Sequence, residues 1–156
     1  LFTGMRRIKV TEGRFRDDKQ DLNPYEHNEL LKLLHISCLC NESAVVRQNG
    51  EFLVEGSATE NALIHVALSS GINVPELRDK FPLIKIRHRS ENCNIMVTLH
   101  DMTNLSHGNS SKILAVKGSP QEVLSLCSSY MKDDRIVPLA DDERMAIQIE
   151  NERMAG

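Results

Sequence analysis

The spacing of apolar positions changes several times along the chain, and each change predicts an element. Met5–Val10 reads as a short strand, and residues 11–22, dense in charge, read as loop. Asn23-Pro24-Tyr25-Glu26 is a helix start: Asn23 can cap, Pro24 suits the first helical position and Glu26 the third. That helix is predicted to run to about Asn41, with Leu30, Leu33, Leu34 and Cys38 as its apolar stripe. Asn49-Gly50 then marks a hairpin turn between Val45–Gln48 and Phe52–Glu55. Ser57-Ala58-Thr59-Glu60 opens a second helix, its inner face predicted as Ala62, Leu63, Val66 and Ala67, and Gly71 ends it.

Val74–Lys80 is long enough only for a short helix. Leu83–His88 and Cys93–His100 read as two strands joined by a tight polar turn. In the second, Ile95, Val97 and Leu99 alternate with Asn94, Met96 and Thr98. Asp101–Ser111 lacks apolar periodicity and reads as loop. Lys112–Lys117 is a strand, with Lys117 on the face of Ile113 and Ala115. Ser119–Cys127 is a helix, with Pro120 at its first position and Ser119 and Glu122 placed for a capping box. Arg135–Pro138 is a short strand, and a last helix runs from Asp141 to the end. The clear strand pairs are hairpins, which predicts an α+β fold with an antiparallel β-sheet flanked by helices, in a single domain over residues 1–156.

Composition narrows the function classes. The chain is 40% hydrophobic with no Trp, so a core must come from Leu, Ile, Val, Ala and Met. No run of about 18 apolar residues is present, so no membrane span is expected. A formal net charge of -3 argues against a nucleic-acid surface, and any anion site must be local. Cys38, Cys40, Cys93 and Cys127 sit among apolar neighbours without the two-residue spacing of zinc or redox pairs, and read as reduced, buried thiols. Asn104-Leu105-Ser106 and Asn109-Ser110-Ser111 match the glycosylation pattern but read as loop polarity. His35 and His65 read as packed or surface residues, and no metal spacing is evident.

The chemistry concentrates at Val116-Lys117-Gly118-Ser119-Pro120. A cation at a strand end, a glycine and a helix start meet there, a reasonable place to receive an anion. Glu60 has two readings on its residues alone, since Ser57-x-x-Glu60 is itself a capping box.

Three stretches in order resemble the nucleotide-binding domain of P-type ATPases. They are Gly56-Ser57-Ala58-Thr59-Glu60-Asn61-Ala62-Leu63, the turn Arg89-Ser90-Glu91-Asn92-Cys93-Asn94 leading into Ile95-Met96-Val97, and Val116-Lys117-Gly118-Ser119-Pro120. The resemblance extends over about residues 5 to 156. It implies a cytoplasmic domain of an integral membrane protein that holds ATP, with Mg2+ in the full-length protein. That domain would present the terminal phosphate to a phosphorylation domain of the same chain, which also carries an actuator domain. The phosphorylated Asp-Lys-Thr-Gly-Thr sequence is absent, so no catalytic residue is expected in this chain, which should bind nucleotide as a monomer without turning over.

Residue by residue, the resemblance makes Lys117 the lysine lining the nucleotide pocket and Glu60 the carboxylate near the adenine amino group. Gly118 would allow close approach of ligand to backbone, and Ser119 would be a cap with a minor share in contact. Aligned through Met96, Arg89 stands where many members carry an adenine-stacking phenylalanine, and Asn94 where many carry a lysine. Arg89 could stack through its guanidinium plane, or His88 or Phe81 could supply a ring. Losing a stacked aromatic costs roughly 1–3 kcal/mol, so affinity no tighter than submillimolar is expected. The lack of a heavy-metal-type His-Pro motif points to a cation pump of the broad calcium, sodium, proton or magnesium kind. Two other classes stay open: an α+β interaction module that has lost nucleotide binding, and a different enzyme using the Lys117 loop for phosphate.

Overall fold

The computed structural model describes residues 1–18, 20–102 and 111–156; both asparagines of the glycosylation-like sequences and most of the expected loop after Asp101 lie outside them. The chain is α+β, and every strand pairing is antiparallel. It begins with β1 (Phe2–Thr3) and β2 (Arg6–Arg7), which pair, followed by a small sheet of β3 (Lys9–Thr11), β4 (Arg14–Arg16) and β5 (Asp21–Leu22). The expected single strand over Met5–Val10 is thus two, and the expected loop 11–22 carries two more. Glu12 and Gly13 turn the chain with positive φ of 50° and 77°. Arg14-Phe15-Arg16 then buries only Phe15, at 2% exposure. One apolar residue between two arginines carries too little pattern to read as a strand.

Asn23 caps as expected, accepting from Tyr25 N, but it caps a 3-10 turn over Pro24–Glu26. The first α-helix, α1, is Asn28–Leu39. Its start is served from far along the chain: Asp134 Oδ1 accepts from Asn28 N at 3.3 Å, and Glu29 Oε1 accepts from Asp134 N at 2.9 Å. A cap 106 residues away leaves no local signature.

The hairpin β6 (Ala44–Gln48) and β7 (Glu51–Glu55) turns through Asn49 and Gly50, both at positive φ. Helix α2 (Ala58–Ser69) buries Ile64 and Ala67; Ala62, expected on the inner face, is exposed. The helix is apolar on most sides, so periodicity there identifies the buried side poorly. Helix α3 (Val74–Lys80) follows, then the three-stranded sheet β8 (Leu83–Arg87), β9 (Ile95–Asp101) and β10 (Lys112–Gly118), in order β10-β9-β8. Met96, Thr98 and His100 form the buried face of β9. Its two polar members are satisfied internally: Thr98 Oγ1 lies 3.3 Å from Leu39 O, and His100 Nδ1 donates to Phe81 O at 2.9 Å.

Helix α4 (Pro120–Leu126), the hairpin β11 (Ser129–Lys132) and β12 (Arg135–Pro138), and helix α5 (Asp141–Ala155) complete the chain. Strand β11 was not expected. Its turn is Asp133-Asp134, both at positive φ, where glycine or asparagine is the usual signal. The core gathers Leu30, Leu34 and Cys38 of α1, Ile64 and Ala67 of α2, Val74 and Leu77 of α3, and Met96 and Ala115 of the three-stranded sheet. Cys38 and Cys40 are buried, while Cys93 and Cys127 are only half-buried; all four are free thiols. Burial pushes the Cys38 thiol up to about 12, as expected of an inert core residue.

Candidate functional site

The C-terminal end of β10 lies beside the N-terminal end of α2, with α1 packed between the sheet and the helices. Two side chains meet there. Lys117 Nζ donates to Glu60 Oε1 at 2.8 Å, across 57 residues of sequence, and the two side chains keep only 18% and 16% of their exposure. Lys117 lies on the sheet face that carries Ala115, opposite Met96 of β9. Glu60 stands in the first turn of α2, its own N–H donating to Ser57 Oγ at 3.4 Å. Only this half of the capping box forms. The Glu60 carboxylate points instead to Lys117, and its second oxygen accepts from Glu42 N at 3.3 Å.

Glu42 belongs to the turn between α1 and β6, and it extends the cluster. Its Oε2 lies 3.4 Å from His88 Nδ1, on side chains that are both about half exposed. A continuous rim therefore runs His88, Glu42, Glu60, Lys117. Beneath it is Cys40, fully buried, its thiol donating to Met96 O at 3.5 Å. Burial raises the Cys40 thiol above its ordinary value, and Thr98, Lys117 and Glu60 also act on it.

The glycines that flank this pair serve chain packing. A Cβ on Gly118 would fall 2.6 Å from Ile95 Cα and closer still to Asn94 O. The space beside Gly118 is thus occupied by the crossing of β9, not left open for a ligand. A Cβ on Gly56 would likewise press on the Ser43 hydroxyl and lie 2.9 Å from Asn61 Oδ1. Without a side chain at 56, the 41–43 turn can close onto α2.

The remaining candidates divide. Ser119 is the N-terminal flanking residue of α4, but its side chain makes no capping bond. The expected capping box fails because Glu122 is drawn elsewhere: its carboxylate accepts from Asn94 N at 3.0 and 3.3 Å. Ser119 N in turn donates to Asn94 O at 2.9 Å. The Asn94 backbone is therefore clamped from both sides by α4, while its side chain is exposed. Arg89 is exposed and makes no hydrogen bond or ion pair among the described residues. Of the three candidates for stacking, His88 is the one tied to the Lys117–Glu60 pair. Phe81 packs against the core under Lys80. Glu42 was missed in the sequence because its contribution is partly a backbone N–H, to which any residue type but proline is equivalent.

Among the described residues, no three His, Cys, Asp or Glu side chains gather as a metal site would, and no helix is long and apolar enough to cross a membrane.

The chain belongs to the P-type ATPase family: the model for the P-type ATPase cytoplasmic domain N matches residues 29–156. It is 25% identical over 135 residues to a calcium-transporting ATPase of Bacillus subtilis, covering 86% of this chain. It is 29% identical over 123 residues to the sodium/potassium-transporting ATPase subunit alpha-1 of Oreochromis mossambicus, covering 74%. Those matches take in only 14% and 12% of the relatives' own lengths, so the chain spans a small part of the curated relatives it matches.

Proposed function

We propose that this domain binds ATP and, within a longer cation-transporting ATPase, presents the terminal phosphate to a phosphorylation domain of the same chain. One observation carries the reading. Two residues chosen from separate motifs, Glu60 and Lys117, meet as a half-buried ion pair on a shared rim.

The donor set suits a purine nucleotide. A carboxylate has about four acceptor sites. Glu60 uses one on Lys117 and one on Glu42 N–H, which leaves capacity for an exocyclic amino group. The ammonium of Lys117 has three donors and spends one on Glu60. It can turn a second toward a ring nitrogen or phosphate without releasing the pair. His88, held by Glu42, offers a ring face beside them; Arg89 and Asn94, both exposed on the turn before β9, are the further candidates to meet the ligand. Gly118 and Ser119 act by holding Lys117 and the Asn94 turn in register. ATP would supply the transferable phosphoryl group, with Mg2+ offsetting phosphate charge in the full-length protein. The residues here bind and orient it. The phosphorylation and actuator domains, the coupling to cation movement and a monomeric state of this domain belong to the same proposal.

A titration of the chain with ATP, followed by amide shifts and with GTP as control, tests this. Saturable shifts centred on Glu60, His88 and Lys117, stronger with ATP, are expected. Lys117→Ala and Glu60→Ala should each weaken binding by about tenfold or more while leaving the fold intact. Parent-like binding by both variants would overturn the assignment. No shifts at millimolar ATP would favour the interaction-module reading. That reading has one observation behind it: Lys117 already satisfies its charge on Glu60.

A further inference from the structure

We propose that Arg78, on α3, is a positioning residue of this site, acting through the 41–43 turn to set the carboxylate of Glu60. The proposal rests on the reading of Glu60 as a nucleotide ligand. Arg78 lies outside all three motif stretches.

The geometry is specific. Arg78 Nε and Nη2 donate to Cys38 O at 3.2 and 3.1 Å, Nη2 also to Asn41 O at 3.2 Å, and Nη1 to Ser43 O at 2.7 Å. A single guanidinium thus gathers three carbonyls where α1 ends and β6 begins. Helix C-termini leave such carbonyls unpaired and carry partial negative charge, so a cation is well placed there. Among the described residues, all of its hydrogen bonds go to main-chain oxygens. Burial lowers the Arg78 guanidinium from its usual value; Cys38 and Glu60 oppose that shift electrostatically.

The gathered turn is the one that reaches Glu60. Asn41 Nδ2 donates to Glu60 O at 3.0 Å, and Asn41 Oδ1 accepts from Ser43 N at 2.9 Å. Ser43 Oγ donates to Asn61 Oδ1 at 2.8 Å. Glu42 N, between them, donates to Glu60 Oε2. Arg78 therefore fixes the curvature that aims Glu42 N–H at one carboxylate oxygen while Lys117 holds the other. A lysine has one point of charge and cannot span three carbonyls in a plane.

Arg78→Lys tests this because it keeps the charge and removes the fork. The expected result is a folded chain in which the Glu42 amide resonance and the Glu60 side-chain carboxyl carbon resonance both move. ATP should bind roughly 3–10-fold more weakly, the size of one ordinary hydrogen bond. Arg78→Gln keeps a planar amide but cannot gather three carbonyls. It should move the Glu42 and Glu60 signals in the same direction, and it decides the matter if Arg78→Lys fails to fold. A lowered melting temperature with unmoved Glu42 and Glu60 signals would make Arg78 a helix cap only and overturn the proposal. The two NMR readouts need no nucleotide. If the parent chain binds no ATP, the nucleotide reading fails, and the Glu42 and Glu60 signals still decide the role of Arg78.

Discussion

Among the carboxylates that are paired with cations in this domain, Glu150 and Glu60 are held differently. Glu150 of α5 is 4% exposed and is held by two arginines. Arg7 Nε and Nη2 reach its Oε2 at 2.8 and 2.7 Å, while Arg153 Nε and Nη2 reach its Oε1 at 2.9 and 2.6 Å. Three charge-assisted hydrogen bonds and the close Arg7 Nη2 contact crowd both oxygens and leave little room for a ligand. Glu60 has one lysine and one backbone N–H. The first arrangement joins the N-terminal hairpin to the last helix and has nothing to exchange. The second is held in place yet unsaturated on both partners. On the proposed reading, the count of unspent donors and acceptors, rather than burial and pairing, separates a structural acid from a binding one.

The largest stability effect is expected at the saturated carboxylate. Glu150→Ala leaves two guanidinia facing each other without an anion and unties the terminal hairpin from α5. It should give the greatest drop in melting temperature among these variants, with no change in ATP affinity. The pH dependence follows the same cluster. Hydrogen bonds from Arg153 and then Arg7 hold the Glu150 carboxyl at about 2, against 4.5 in an unpaired glutamate. The folded state thus binds fewer protons than the unfolded chain in that window. Its contribution to stability is present above 4.5 and is lost as pH falls toward 2. Glu150→Gln should flatten that part of the acid-melting curve. If the slope is unchanged, the arginine clamp does not persist in solution.

Gly118→Ala comes next and acts on both properties. The added methyl meets the backbone of Asn94 and Ile95, which cannot rotate away as a side chain would. A cost of about 1–3 kcal/mol is expected, measured by denaturant unfolding. ATP affinity should fall with it, because the strand end carrying Lys117 must shift. Lys117→Ala is the opposite case: about 1 kcal/mol in stability, since the ion pair is partly exposed and Glu60 keeps its bond from Glu42 N–H, but tenfold or more in binding. Should Lys117→Ala destabilise the domain as much as Gly118→Ala, with no effect on ATP, the Glu60 pair would be structural like the Glu150 one.

Much of this comparison could be read in the sequence, and its limits have physical causes. Lys117 and Glu60 stand out because each sits at a motif that also has a local rationale, a strand end or a helix start. The β6–β7 hairpin was legible because Asn49-Gly50 is the residue pair its turn requires. Asp133-Asp134 makes a turn of the same positive-φ kind without that signature, so β11 went unseen. The N-terminal strands are too short for alternation to register. Arg78 and Glu42 were invisible for another reason. Their partners are carbonyl oxygens and a carboxylate 18 to 40 residues away, and backbone groups carry no letter in a sequence. Arg7 and Glu150, 143 residues apart, share that obstacle.

The smallest effects separate the two helix starts that bear the site. Ser57 and Ser119 occupy equivalent positions, each with a glutamate three residues on, and the sequence treats them alike. In the fold they differ. Ser57 Oγ accepts from Glu60 N, whereas the Ser119 hydroxyl caps nothing and Glu122 serves Asn94 instead. Ser57→Ala should therefore cost about 1 kcal/mol, and Ser119→Ala a few tenths at most, by denaturant unfolding. The binding effects invert the usual expectation for a surface serine. Ser57→Ala loosens the first turn of α2, so Glu60 loses part of its support and ATP affinity falls by roughly the same free energy, about fivefold. Ser119→Ala leaves both the clamp on Asn94 and Lys117 in place, because that clamp uses the Ser119 backbone N–H, which alanine retains. A Ser119→Ala variant that keeps its stability but loses ATP affinity would place the hydroxyl on the ligand itself, since no contact within the fold would account for the loss.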